Sequence, residues 1–201
     1  MLKKIIPVLI ILGSIVLLSY VIPAKYVSRT GHLHVESNNR FKNVVADNYQ
    51  VYCELNPNSG SVTFTGLLKS FEFELGALDQ AFNSGRVNMS QFSKFKYNGN
   101  VTNLASINFD KPGNYPVSVS GNLNLGGYDR KTSAKGTLTV LANGKVKADA
   151  RFSIRIEQES VNTINKLMKE KLPSVFALDI DKLGVSRDIN LSLSTTFRPR
   201  G

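Results

Sequence analysis

From Lys25 onward, apolar and polar residues alternate one for one, the period that puts every second side chain of an extended strand on the same face. The apolar positions Tyr115, Val117, Val119, Leu123 and Leu125 are interleaved with Ser118, Ser120, Asn122 and Asn124. Val146, Ala148, Ala150, Phe152, Ile154 and Ile156 alternate in the same way with Lys147, Asp149, Arg151, Ser153, Arg155 and Glu157. Shorter runs repeat the pattern: Tyr49, Val51, Cys53 and Leu55; Val62 and Phe64; Phe71, Phe73 and Leu75; Ile189, Leu191, Leu193 and Phe197. Each such strand has one dry face and one wet face, so the chain is predicted to be mainly β.

Turn chemistry divides the strands at Asn56-Pro57-Asn58-Ser59-Gly60, Lys111-Pro112-Gly113-Asn114, Gly126-Gly127 and Asn143-Gly144. Asn-Gly between alternating runs is the strongest local hairpin signal, because both residues tolerate positive φ. The strands before Asn143 and after Gly144 are therefore predicted to pair. Two stretches break the β period. Residues 76–83 have helical composition, with Leu78 and Phe82 on one side, and Val161, Ile164, Leu167 and Met168 form an apolar stripe that Pro173 ends. About eight strands joined mainly by short turns fit a closed antiparallel barrel or a sandwich. Long strands of even parity favour the barrel, whose interior at eight strands has room for side chains or one elongated ligand.

Ahead of this region the chain changes character. Lys3 and Lys4 precede a nearly continuous apolar run from Ile5 to Ala24. Lysines before an apolar stretch make the n- and h-regions of an export signal, and they stay on the cytoplasmic side. The expected organisation is a signal peptide or signal anchor, an apolar helix, over residues 1–24, followed by one β-barrel domain over 25–201. About 20 apolar residues also span a bilayer, and Ile22-Pro23-Ala24 is a serviceable cleavage site. Cleavage and retention both stay open, giving a periplasmic or secreted protein, or one held at the membrane by this segment.

The chain carries 25 Lys and Arg against 15 Asp and Glu, a net charge of +10. Lys3 and Lys4 are the only charges before Lys25, so residues 25–201 keep 23 basic and 15 acidic side chains, or +8. A basic exported domain is drawn to an anionic membrane surface. Nucleic acid is not an expected partner, because the basic residues are scattered singly and the compartment is wrong for it.

Candidate chemistry is sparse. Cys53 is the only cysteine, which excludes an internal disulfide, and it lies too far from the apolar segment for lipid acylation. It is expected to be a small core residue. His32 and His34 have the His-x-His spacing of metal ligands, but no further histidine offers a third ligand. They are assigned to the solvated face of a strand, and no metal site is expected. There is no G-x-S-x-G elbow, no phosphate-cradling loop and no calcium-loop spacing. The chain is expected to be neither an enzyme nor a cofactor carrier. Phe64, Phe71 and Phe73 alternate onto one face, and Phe92, Phe95 and Tyr97 come after the first helical stretch, as a barrel interior rich in aromatics would require.

These residues resemble a known family. Residues 26–31, Phe41-Lys42-Asn43-Val44-Val45-Ala46, Gln50-Val51 and Leu55-Asn56-Pro57-Asn58-Ser59-Gly60 are similar to the opening of YceI-like proteins, the polyisoprenoid-binding family of the bacterial envelope. Lys69-Ser70-Phe71-Glu72-Phe73, Phe82-Asn83, the stretch from Phe92-Ser93-Lys94 to Gly99, Gly121-Asn122-Leu123-Asn124-Leu125 and Lys171-Leu172-Pro173-Ser174-Val175 come next, in that family's order. The likeness spans about residues 26–198 and is nearest to the Bacteroidetes branch. One departure stands out. Members usually carry a His-Gly-Val or similar turn after the Gly121 strand, and this chain has Gly126-Gly127-Tyr128. The resemblance implies a lipocalin-like, eight-stranded antiparallel barrel with a tunnel for a polyisoprenoid or other long-chain amphiphilic lipid.

The expected function is non-enzymatic carriage or sequestration of a polyisoprenoid, a quinone or another long amphiphile. The rival expectation is an envelope interaction module whose barrel is filled by its own side chains. Strand parity nominates Phe64, Phe71, Phe73, Val117, Val119, Leu123, Phe152, Ile154, Leu191 and Leu193 as the lipid-binding wall. The partners expected are that lipid and an anionic membrane surface, and a homodimer is compatible with the sequence.

Overall fold

A computed structural model of the chain describes residues 25–38, 43–76, 79–80, 93–125, 128–155, 157–158, 162 and 186–200. The apolar segment 1–24 lies outside the described residues, as does the expected helix 161–171 apart from Asn162. Nine strands form the described part: β1 (Lys25–Ser37), β2 (Val44–Leu55), β3 (Ser61–Leu67), β4 (Glu72–Phe73), β5 (Lys94–Val101), β6 (Gly113–Leu125), β7 (Tyr128–Val140), β8 (Val146–Arg155) and β9 (Asp188–Arg200).

Every pairing is antiparallel. The order β1-β9-β8-β7-β6-β5-β3-β2 closes on itself because β1 also pairs with β2, giving an eight-stranded barrel with β4 as an extra strip on β2. Among the described residues each of the eight barrel strands thus pairs with a neighbour on both sides, while β4 pairs with β2 alone. The expected short strand through Phe71, Phe73 and Leu75 is reduced to two residues, Glu72–Phe73. A 3-10 turn at Leu68–Ser70 ends β3, and β4 then resumes contact with β2 through Ala46–Phe73 and Asp47–Glu72. Beyond it the Asp79 amide donates to the Leu75 carbonyl, the first turn of the expected helix, whose remaining residues are mostly outside the described set.

The turns obey the sequence chemistry. Val140 pairs with Val146 across residues 141–145, where the Gly144 amide donates to Leu141 O and Leu141 N to Lys145 O. The loop is longer than the two residues Asn-Gly suggests, and Gly144 takes the positive φ, 74°. Gly60 does the same at 73° between β2 and β3. There the Asn56 side chain accepts from the amides of Asn58 and Ser59.

One end of the barrel is sealed. Between β5 and β6 the chain makes a 3-10 turn at Leu104–Ser106 and buries Ile107 and Phe109 in the common core. The Phe109 ring stacks on fully buried Tyr26 at 5.8 Å. The β2–β3 and β7–β8 turns lie at the same end.

The β7–β8 ladder is paired only from Lys135–Arg151 to Val140–Val146, and the inward and outward alternation is regular except along β1 and β2. Inward positions on β1 run Tyr26, Ser28, then Gly31, Leu33, with a register shift between Ser28 and Gly31. Those on β2 run Val44, Ala46, Asn48, then Val51, Cys53, Leu55, with a shift opposite the Gly31–Leu33 step. Bulges of this kind bend a strand and reverse which face its residues take. They explain why Tyr49, assigned by parity to the dry face with Val51 and Cys53, is 52% exposed on the outside.

Candidate functional site

All ten nominated residues are on the inner side of the wall. Phe64, Phe71, Val117, Leu123, Phe152, Ile154 and Leu191 are buried, and Phe73, Val119 and Leu193 are partly buried against the same core. The pairing places some of them in shared rows. Phe152 faces Leu191, which faces Val35, then Ala46, then Phe73. Val117 and Leu193 belong to a second row through Gly136, Ala150, Leu33 and Asn48.

Aromatic rings fill part of the lumen. Phe64 on β3 stacks on Tyr97 of β5 at 4.7 Å, and both meet Phe152 of β8, at 6.0 and 6.3 Å. Since β5 and β8 are separated by β6 and β7, these contacts bridge the barrel. Phe71 reaches Phe95 at 5.7 Å. Space for the rings comes from small residues on the wall: a Cβ at Gly66 would sit 2.4 Å from the Phe95 ring, and one at Gly99 would sit 2.7 Å from that of Tyr97.

Phe95 and Tyr97 belong to this surface although parity did not nominate them. Their alternation with Lys94, Lys96 and Asn98 was the available signal, shortened by the glycine at 99. Tyr97 also brings the lumen a polar group. Its side-chain hydroxyl is buried with no hydrogen-bond partner among the described residues, and burial raises its pKa. Cys53 is the small interior residue expected. Burial pushes its thiol up to about 12, far from the range of a nucleophile.

The outer face of the β1–β2 wall carries a cluster that sequence reading did not assemble. His32 Nε2 lies 2.6 Å and His34 Nδ1 2.9 Å from one oxygen, Oδ1, of Asp47. His34 and Asp47 are direct cross-strand partners. Burial would raise the Asp47 pKa, but the hydrogen bonds from His32 and His34, helped by their charge, outweigh it and hold the carboxyl below its ordinary value. Tyr49 stacks flat on His32, centroids 4.4 Å apart and planes 13° from parallel. Asp47 is the third residue that the histidine spacing lacked, and it was invisible without the strand register.

Two hollows among the described residues lie on the outside of the barrel. One, about 510 Å³, is lined by Ser120, Gly121, Asn122, Lys131, Thr132, Ser133 and Ser153. The other, about 380 Å³, starts at His32 and His34 and crosses β9 and β8 past Ser192, Ser194, Asp149 and Arg151 to Lys135 and Thr137 on β7. The first is lined mainly by polar groups, whereas the second also takes in Gly136, Ala150 and Leu193.

No family model matches the sequence, and no curated protein matches it. Solved structures do. A polyisoprenoid-binding domain from Saccharophagus degradans, implicated in plant cell wall breakdown, superposes with a TM-score of 0.68 at 12% identity, over 89% of this chain and 99% of that domain. BcnA of Burkholderia cenocepacia superposes with a TM-score of 0.56 at 11% identity, over 84% of this chain and 96% of its own. At these identities the likeness is one of fold. The chain therefore has the barrel fold of these two proteins, as the sequence resemblance implied.

Proposed function

We propose that this barrel binds a long apolar lipid, a polyisoprenoid, a quinone or a comparable amphiphile, and carries or sequesters it in the bacterial envelope without catalysis. The observation that carries the reading is the fold shared, over nearly the whole of both chains, with a polyisoprenoid-binding domain. The largely apolar inner wall, in which Asn48, Thr132 and Thr195 are buried polar exceptions, supports it. Transfer of hydrocarbon into such a wall is favourable by about 25 cal/mol per Å², so binding needs no reactive residue. With one end sealed by Tyr26 and Phe109, the lipid's tail enters from the opposite end. The Tyr97 hydroxyl then gives a polar group on the ligand a hydrogen-bond partner inside a largely apolar lumen.

Export by residues 1–24 and attraction of the basic barrel to anionic head groups complete the proposal. The test is solvent extraction of the full chain, purified in detergent and exposed to prenyl alcohols and quinones. Recovery of about one lipid per chain supports the reading, and extracts empty of lipid at every concentration reject it. Vesicle co-sedimentation checks the membrane part: binding to anionic vesicles falls with salt as the screening length shrinks to about 3 Å at 1 M, and binding indifferent to salt removes charge from the account.

A second reading has its own support. The Phe64, Tyr97 and Phe152 contacts bridge the lumen, as they would in an interaction module with a filled barrel. The lipid experiment separates the two.

A further inference from the structure

We propose that His32, His34 and Asp47 form a binding site for a borderline divalent cation, with zinc the reference ion, on the outer wall of the barrel. The ligand atoms are His32 Nε2, His34 Nδ1 and an Asp47 carboxylate oxygen, which lie within 4.8 Å of one another. In a tetrahedral zinc site with bonds of about 2.0–2.2 Å, ligand atoms sit about 3.3–3.5 Å apart. The two histidine–aspartate separations, 2.6 and 2.9 Å, fall just short of that spacing. They open to it by small side-chain rotations, without movement of the strands.

Three features make this more than two histidines on a surface. The β1–β2 ladder holds His34 opposite Asp47, so two ligands are fixed by backbone pairing. The Tyr49 ring, turned outward by the β2 bulge, lies flat on His32 and restrains the third. The Asp47 carboxyl is already the shared acceptor of both rings, which is the role a cation takes over. On binding, each imidazole presents a lone pair to the metal in place of the N–H it directs at Asp47, keeping a proton on its other ring nitrogen, and the carboxylate supplies the charge.

The donor set selects the ion. Two imidazoles and one carboxylate suit zinc, copper and nickel, whereas calcium and magnesium favour all-oxygen sites. Three protein ligands leave a coordination position for water or an anion. The site opens on the outer groove, where Ser192, Ser194 and Arg151 line the floor beyond the histidines. This inference is independent of lipid binding, since the cluster is on the opposite face of the wall from the lumen.

The experiment uses the full chain in detergent without a histidine tag, because the chain has only two histidines and every imidazole signal then belongs to the site. Zinc chloride titrated calorimetrically is expected to bind once per chain, with cobalt(II) giving the visible absorption of a four- or five-coordinate ion. Asp47→Asn keeps the side-chain shape and is expected to weaken zinc at least about 10- to 100-fold, the loss typical when support for a metal site is removed. His34→Gln is expected to do the same, with circular dichroism confirming that both variants stay folded. Zinc binding that is absent, that is unchanged in Asp47→Asn, or that calcium matches would overturn the proposal.

Discussion

Along β6, β7 and β8 the inner and outer side chains alternate without a break, whereas along β1 and β2 the alternation reverses once in each strand. The regular wall supplies apolar rows such as Val117–Gly136–Ala150, with Thr132 its buried polar exception, and a polar exterior of Lys, Ser and Asn. The irregular wall departs from that division on both faces. It places polar Asn48 inside, fully buried, and aromatic Tyr49 outside. It also sets His32 and His34 around a single carboxylate oxygen of Asp47. A barrel needs strand tilt and bends to close, and the bulges that supply the bends also re-aim side chains. Regularity makes the apolar lumen, and the break in regularity makes the outer cluster.

The sharpest test of this contrast is Cys53, which the second half of β2 places inside. Its thiol, raised from an ordinary 9.0 to about 12, holds about a thousandfold less thiolate at pH 8 than a free cysteine. Labelling by a disulfide reagent should be negligible in the folded chain and immediate in denaturant. Rapid labelling without unfolding would put Cys53 on the outside. Because the folded pKa is the higher one, the proton-bound thiol favours folding. That contribution is complete below about pH 9 and is lost as pH climbs toward 12. Urea titrations at pH 8 and pH 10 should show a steeper loss in the unsubstituted chain than in Cys53→Ala.

Next in size is a pair of aromatic truncations, one on each wall. Phe152→Ala on β8 removes a buried ring in contact with Phe64 and Tyr97, and should cost about 3–5 kcal/mol in a urea titration. Tyr49→Ala on β2 removes an exposed ring, and should cost less than about 0.5 kcal/mol. Equal costs would mean that the β2 bulge is absent. Between them falls Asn48→Ala. The Asn48 side chain donates to the Leu67 carbonyl and accepts from the Gln50 amide inside the barrel. Leaving those partly buried groups unpaired should cost about 1 kcal/mol, the low end of the penalty of unsatisfied partners.

The same contrast explains what could be read from sequence. On β6, β8 and β9, period two was enough to place Val117, Val119, Leu123, Phe152, Ile154, Leu191 and Leu193 on the inner face. The turns at Gly60 and Gly144 were equally legible, because their residues state a backbone requirement. Tyr49 was misplaced because a bulge adds one residue without leaving a local signature. Asp47 was missed because pairing it with His34 needs the register of β1 on β2, which is shifted by a bulge in each strand and which alternation alone does not state. The aromatic bridge from Phe64 to Phe152 joins residues 88 positions apart in sequence. Which inner residues meet across the lumen depends on strand tilt, and alternation alone does not contain it.

The central claim, that the lumen accepts a long apolar lipid, is tested most directly by native mass spectrometry of the full chain beside Val119→Trp, both mixed with a prenyl alcohol in detergent. The account predicts a one-lipid mass increment on the unsubstituted chain and none on Val119→Trp, whose added ring occupies the lumen. Bare protein in both samples, with Val119→Trp merely destabilised by the roughly 1–3 kcal/mol of an overpacked core, would contradict it.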